Sequence, residues 1–543
     1  LTNKTYKKAS FTPDKLLLAC TLLLKNTQLY FCLPYDNYKY NLSFMGGVMP
    51  YSATLSVNTL LNKAVRTLNL TSLAQEKRQH SSVNSSNKSL ENVEKEPLQI
   101  NTLQISTDDR QSCIDSEPLS IRDKVLHHNL LTTYQPHLLH YAMKSIGLLP
   151  ETVLDSLVGY LDGPTAKQYE HVDAHLRLIL AVNSKLKTPL QLSEMGELRK
   201  RFATDAVAMQ TPRVWQQASS SLFDTIKPFT KKNEPSVNWE DKTIANADDG
   251  DMLIRCYQKQ VNAAGFSFKK KTKINPDETV MLFFHGGGFC IGDINTHHEF
   301  CHAVCERTGW PVVSVDYRLA PEYPAPTGLR DCIAAYAWLA DNCYKFGALA
   351  SRIVLAGDSA GGGLSTMIAQ QVITPSAKSW QDLGVDGQKT FEILQRLPQP
   401  LAQMPLYPVT DIENDYPSWE LYGEGLLLDH ADVAVFDAAC LENSPLPRQH
   451  ILTSPMLGDN RHICPTYVVA AELDILRDEA FAYAKQLEDY GRAVQTYTVY
   501  GAPHGFIHFM SVHQGLEQQT NHIIHGFAGF VRDVISTQNL LAA

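Results

Sequence analysis

The chain reads as an α/β fold, a mostly parallel eight-stranded sheet with helices on both faces. Three observations carry that reading. From Trp239 onward, short apolar runs at 279–284, 311–317, 352–357, 401–406, 465–471 and 494–500 alternate with helical stretches, as parallel strands require when each crossover is a helix. Ahead of them, Thr243-Ile244 and residues 252–257 flank the turn Asp248-Asp249-Gly250 and read as an antiparallel hairpin. Finally, Gly357-Asp358-Ser359-Ala360-Gly361 falls between the strand-like run 352–356 and a helical run that ends near Val372. A turn that tight strains the serine backbone and demands small neighbours, and it holds the Oγ clear of the backbone.

Residues 1–48 show no clear period and read as an N-terminal extension. The chain opens on Leu1, and Met49 is the expected translation start. The apolar run 16–24 is shorter than the ~18 residues of a membrane span. It could pass for a short signal-peptide core, but no small-x-small cleavage site follows it closely. Region 49–122 combines an amphipathic segment, with Val57, Leu61, Ala64, Val65 and Leu68 on one helical face, and a linker expected to be disordered. The linker, 74–120, is rich in Ser, Asn, Gln, Glu and Lys. Region 123–237 is helical: apolar spacing over 123–149 is interrupted by Pro136, and 167–209 holds one or two helices with Leu176, Ile179, Leu180 and Leu186, then Leu198 and Phe202. Region 238–543 is the catalytic domain. Within it, 374–399 reads as a loop-like insertion, and 410–462 interrupts the sheet with Tyr416-Pro417-Ser418-Trp419 and a helix over 428–440.

The 543 residues are 44% hydrophobic, enough for a sizeable core. A net charge of −9 gives no footprint for nucleic acid and no basic face for anionic lipid. No apolar stretch is long enough for stable membrane insertion. Eleven scattered cysteines, an odd number, suit reduced thiols in a cytoplasmic or cell-associated protein, with secretion as the alternative.

A serine hydroxyl needs a base to take its proton and an acid to orient that base. Ser359 is the candidate nucleophile. His504, in Gly501-Ala502-Pro503-His504-Gly505-Phe506 after the last strand, is the candidate base, ahead of His508 and His513, which are expected on the following helix. Glu472, Asp474 and Asp478 cluster after the run 465–471. Asp474 sits in the turn just past that strand, whereas Asp478 and Glu479 suit the first turn of the next helix. His285-Gly286-Gly287-Gly288-Phe289 follows an earlier strand, and its glycines allow backbone N–H groups to converge on an oxyanion. Gly286, Gly287, Gly288 and Ala360 are the candidate donors. This chemistry needs no metal or organic cofactor. His297-His298-x-x-Cys301-His302-x-x-Cys305 has ligand-like spacing but no matching second pair, so it reads as a packed helix. His127, His128, His137 and His140 are expected at the surface, Cys290 is expected to pack, and residues 316–322 to form a structural ion pair.

At these residues the chain resembles the hormone-sensitive-lipase family of α/β-hydrolases. The shared blocks are His285-Gly286-Gly287-Gly288, Asp316-Tyr317-Arg318-Leu319-Ala320-Pro321-Glu322, Gly357-Asp358-Ser359-Ala360-Gly361-Gly362, Asp474-Ile475-Leu476-Arg477-Asp478-Glu479 and His504-Gly505-Phe506. The resemblance implies the α/β-hydrolase fold, Asp474 as the acid, and a lid made by the upstream helices with the 410–462 insertion. It also implies hydrolysis of carboxylic esters through an acyl-enzyme: triacylglycerols are the expected substrate and short-chain esters the alternative. A non-catalytic α/β-hydrolase receptor would be expected to lack the base. Because the sheet offers only an open crevice, an apolar wall has to come from added segments, with Trp215, Trp419, Tyr422 and Leu426 to Leu428 as candidates.

Overall fold

The structure, a computed structural model, describes residues 137–162, 169–215, 237–259 and 274–542. The readings of 1–48, 49–122 and 123–136, with His127 and His128, lie outside the described residues. The strands are β1 (Val237–Ala245), β2 (Asp251–Lys259), β3 (Val280–Phe284), β4 (Val312–Val315), β5 (Ile353–Asp358), β6 (Ala402–Leu406), β7 (Thr466–Leu473) and β8 (Val494–Pro503). They form one sheet in the order β1-β2-β4-β3-β5-β6-β7-β8. β1 and β2 pair antiparallel, as do β2 and β4, and all other neighbours are parallel.

The central strands are buried on both faces, which is why they read as unbroken apolar runs. Their side chains still divide with period two. Met281 and Phe283 join one core with Val354 and Ala356, while Val280, Leu282 and Phe284 join the other with Ile353 and Leu355. Helices α5 (His298–Thr308) and α13 (Gln514–Ala542) cover the first face through Phe300, Val304, Ile523, Phe527 and Val531. On the second face, α6 (Thr327–Asn342) and α12 (Arg477–Asp489) contribute Ile333, Tyr336, Leu339, Tyr483 and Leu487.

Upstream of the sheet, α1 (His137–Ile146), α2 (Glu151–Asp162), α3 (Ala174–Leu186) and α4 (Met195–Met209) fill the expected helical region. Asp173 caps α3, accepting the N–H groups of His175 and Leu176. After β5 comes α7 (Ala360–Ile373), buried along nearly its whole length. Among the described residues, no helix is long and apolar enough to cross a membrane.

Four local expectations are corrected. Residues 374–399 are not loop-like: they form α8 (Ala377–Gln381) and α9 (Gly384–Leu394). Trp380 is fully buried there, its Nε1–H donating to Gln371. His508 lies in a 3₁₀ turn, Phe506–Phe509, and His513 precedes α13, so neither is on the following helix. His140 is buried beside the Met209 carbonyl instead of at the surface. Trp215, a candidate for the apolar wall, stacks on His298 with ring centroids 4.2 Å apart, beside Arg255 and Trp239.

At the elbow the backbones touch. A Cβ on Gly361 would stand 2.0 Å from the Phe284 carbonyl oxygen, and one on Gly357 would stand 2.2 Å from that of Gly361. Neither neighbour can rotate away, because both are backbone. Gly361→Ala should therefore force β3 and α7 apart and lower unfolding stability by about 3 kcal/mol or more. Urea denaturation against the wild-type protein measures this, and a loss under about 1 kcal/mol would contradict the close approach.

Candidate active site

The residues after three parallel strands converge at their carboxyl ends, the crevice where open α/β sheets place ligands. Ser359 follows β5, Asp474 follows β7 and His504 follows β8. Ser359 has φ 53° and ψ −120°, a strained conformation for a residue with a Cβ. It is held there because its N–H donates to the Leu406 carbonyl at 2.9 Å, while its own carbonyl accepts from Gly363 at 3.0 Å. The Ser359 Oγ lies 2.8 Å from His504 Nε2. His504 Nδ1 lies 2.8 Å from Asp474 Oδ2. A carboxylate can only accept, so Nδ1 carries the hydrogen and Nε2 presents its lone pair to the serine hydroxyl. Asp474 is 1% exposed, and its other oxygen accepts the Leu476 N–H at 2.9 Å.

The rival carboxylates are occupied elsewhere. Glu472 accepts the Gly501 N–H at 2.6 Å, and Asp478 accepts from Arg477 Nε at 2.7 Å. Of the three, Asp474 is the one that meets His504. Tyr407, which the sequence reading did not single out, packs edge-on against His504 at 4.9 Å between ring centroids. It is fully buried with φ 35°. Its one sequence signal is its place straight after β6.

The glycine loop curls beside the serine. Gly287 and Gly288 have φ 117° and 58°, which explains the need for glycine. The bonds that fix the loop do not use the N–H groups of Gly287, Gly288 or Ala360. Gly286 differs from the expectation: its N–H donates to Asp358 Oδ1 at 2.8 Å, so it is not free for an oxyanion. His285 points inward, fully buried, stacked on Tyr317 at 4.3 Å, with Nδ1–H donating to the Gly286 carbonyl.

A layer of helices packs on this side of the site. It combines α3 and α4 with α10 (Pro417–Tyr422) and α11 (His430–Leu441) of the 410–462 insertion. Lys187, capping α3, pairs with Asp429 at 2.7 Å and also with Asp432. Met195, Leu198 and Phe202 pack with Phe436, Ala439 and Cys440 against Cys290 and Ile291. Cys290 is buried, as expected, and its Sγ lies 3.8 Å from that of Cys440. The ion pairs expected near 316–322 are Arg318 with Asp331 at 2.8 Å and Arg199 with Glu322. Behind the loop is a small, partly open apolar pocket of about 50 Å³, lined by Phe289, Tyr317, Leu329, Leu364, Met367 and Cys440 among others. Ser359 and His504 do not line it.

Among the described residues, two clusters bring ligand atoms within 4.8 Å of one another: Asp173, His175 and His513, and His297, Asp358 and His508. In the first, Leu516 N–H donates to His513 Nδ1 at 3.1 Å. Nε2–H of His513 therefore donates to Asp173 at 2.9 Å, and both ring nitrogens are engaged. In the second, His297 Nε2 stands 3.0 Å from Asp358. The spaced His297–Cys305 motif itself forms the start of α5 against the sheet.

Residues 281–508 match the family model described as alpha/beta hydrolase fold, and residues 181–374 match one described as steryl acetyl hydrolase. Lipase 2 of Moraxella sp. (strain TA144) is 56% identical over 412 residues, 75% of this chain and 92% of that protein. The ethyl acetate hydrolase of Pseudomonas putida is 33% identical over 335 residues, 61% of this chain and 94% of that protein. Among solved structures, the hyperthermophilic esterase from the archaeon Pyrobaculum calidifontis superposes with a TM-score of 0.50 at 25% identity. That match covers 65% of this chain and 97% of that one.

Around the site several imidazoles are buried without charge. Burial holds His285 down at about 4 and His302 at about 4, and it holds His508 at about 3, helped by the nearby charge of His297. These values lie below the unfolded value of about 6.5, so the unfolded chain binds more protons whenever the pH falls below it. Their contribution is complete above that pH and is lost as pH drops toward the folded values. The melting temperature should therefore fall between about pH 6.5 and pH 4, and His302→Gln should flatten that slope. Thermal unfolding across this range checks it, and an unchanged slope in the variant would contradict the assignment.

Proposed function

Because the chain belongs to the hormone-sensitive-lipase-like family of α/β-hydrolases, we propose that it cleaves carboxylic esters with Ser359, His504 and Asp474 as a catalytic triad. The observation that carries this is the placement of His504, in hydrogen-bond reach of Ser359 on one nitrogen and of a buried carboxylate on the other. Ser359 Oγ attacks the ester carbonyl while His504 Nε2 takes its proton. The C=O becomes an oxyanion, received by N–H groups of Gly287, Gly288 and Ala360. Each such donor is worth about 3–4 kcal/mol in comparable sites. His504 then gives its proton to the departing alcohol, leaving an acyl-enzyme. Water attacks that ester with His504 again as base, and the acid leaves as Ser359 regains its proton. Asp474 fixes the tautomer of His504 throughout and stabilises the imidazolium.

Triacylglycerols are the favoured substrate, supported by the 56% identity to a protein named Lipase 2 and by the apolar cover. A preference for short acyl chains is the second reading, favoured by the match to ethyl acetate hydrolase. A non-catalytic receptor would have no use for a base aligned on both sides.

Ser359→Ala should lower p-nitrophenyl butyrate turnover by about 10⁴–10⁶-fold without unfolding the protein. Turnover near the wild-type rate in a folded variant would end the reading. The cover makes a separate claim on chain length. Leu426 is buried with Leu406, Tyr407 and Phe506, and Tyr422 and Leu427 pack against the same cluster. Trp419 stacks on His430. Leu427→Asn or Trp419→Gln should depress palmitate ester hydrolysis more than acetate ester hydrolysis. Equal scaling across a p-nitrophenyl ester series from acetate to palmitate would make these segments scaffold.

A further inference from the structure

The nucleophile and the oxyanion loop follow different strands, β5 and β3, so something has to fix one against the other. A single buried carboxylate lies between them. Asp358, the residue before the nucleophile, is 2% exposed. Its Oδ1 accepts the Gly286 N–H at 2.8 Å. His297 Nε2 stands 3.0 Å from the same oxygen. Tyr407 donates its hydroxyl to Oδ2 at 3.5 Å. The loop and carboxylate meet without slack, since a Cβ on Gly286 would come within 2.5 Å of Asp358 Oδ2.

His297 lies between Thr296 and Asp358. Thr296 Oγ1 donates its own hydrogen to the Asp293 carbonyl at 2.7 Å. The same oxygen lies 2.8 Å from His297 Nδ1. The other nitrogen faces a carboxylate oxygen, where only an N–H is attractive. The His297 ring and the Asp358 carboxylate thus lie side by side inside the fold. Burial alone would push the Asp358 carboxyl up. The neighbouring His297, with His508 and the Gly286 N–H, outweighs it and holds the group at about 2. A buried charge paired and bonded on this many sides is held firmly, whereas removing a partner strands the rest.

We propose that Asp358 and His297 are positioning residues that lock the Gly286 amide, and through it set the Gly287 and Gly288 N–H groups at the distance from Ser359 Oγ that a tetrahedral oxyanion needs. The proposal rests on the reading of Ser359 as the nucleophile. Neither positioning residue touches substrate. Their effect belongs to the transition state, because the ground-state ester makes weaker use of those donors. A loop displaced by about 1 Å is expected to cost on the order of 10²-fold in rate.

The test combines three measurements on Asp358→Ala, Asp358→Asn and His297→Gln: steady-state hydrolysis of p-nitrophenyl butyrate, inhibition by an alkyl trifluoromethyl ketone, and thermal unfolding. The ketone adds to a serine hydroxyl and carries an oxyanion, so it reports the loop directly. In Asp358→Ala, kcat should fall about 100-fold with KM little changed, and the inhibition constant should rise by a similar factor. Asp358→Asn keeps an acceptor for the Gly286 N–H and should recover about tenfold of that loss. His297→Gln should fall between the two. Should Asp358→Ala fail to fold, the other two variants decide. A folded variant series with kcat within about threefold of wild type overturns the proposal, as does a kcat loss with no weakening of the ketone. Failure of the underlying reading looks different: Ser359→Ala would still turn over, or the wild-type protein would not bind the ketone.

Discussion

The site depends on backbones that touch. Gly357, Gly361 and the Phe284 carbonyl meet with no room for a Cβ on either glycine. That contact sets the end of β5 against the end of β3, and it places the first turn of α7 beneath Ser359. The strain in the serine, about 1–3 kcal/mol for such a conformation, persists only because the surroundings over-determine it. Here the Leu406 carbonyl on β6 takes the serine N–H, and the N–H groups of Gly363 and Val409 take its carbonyl. The two cores on either face of the central strands supply the rigidity that these bonds presuppose. A serine backbone held by backbone bonds alone needs no side chain to fix it, which leaves nearby side chains free for other work.

Much of this was legible in the residue order, and physics accounts for which parts. Strands buried on both faces announce themselves as apolar runs, and a serine flanked by glycines between a strand and a helix marks the tight turn of a nucleophile. His504 and Asp474 stand immediately after β8 and β7, so strand ends alone place them near Ser359. What stayed hidden depends on contacts far apart in sequence. The Gly286 N–H is indistinguishable from its neighbours until Asp358 is seen to accept it. His297 sits in a motif with metal-like spacing, yet its partner is a carboxylate 61 positions away that shares no periodicity with it. Helices α8 and α9 were obscured by Gly384, Gly387 and several polar residues of weak helix propensity. Burial of Trp380 and its bond to Gln371 override that local preference.

The glycine loop after β3 is held from two sides by different physics. Inside, the buried Asp358 carboxylate, with His297 beside it, accepts the Gly286 N–H. Outside, Arg199 on α4 donates from Nε to the Cys290 carbonyl at 2.6 Å and from Nη2 to the Ala320 carbonyl at 2.5 Å. Its pairing with Glu322 is half-exposed and taken alone would contribute little. The two carbonyl contacts matter more, because a charged donor on a part-buried carbonyl contributes about 1.5–3 kcal/mol. Phe436 on α11 closes the same loop by lying where a Cβ on Gly288 would be.

These attachments join cover and chemistry. Lys187 binds α3 to the start of α11 through two carboxylates, and α11 places Phe436 on Gly288. Arg199 binds α4 to the Cys290 carbonyl just after the glycine turn and to the Ala320 carbonyl in the segment after β4. Under the proposed function, the segments that shelter an acyl chain are thus the same segments that brace the glycine loop. A substitution in the cover has two routes to the rate: the shape of the apolar wall, felt according to chain length, and the seating of the loop, felt by every ester alike. Leu427 and Trp419 lie on the first route because they contact the cluster around Tyr407 and the α11 histidine and not the glycines. Arg199 and Phe436 lie on the second. The division follows from which atoms touch the loop, and it separates specificity from catalysis within one packed layer.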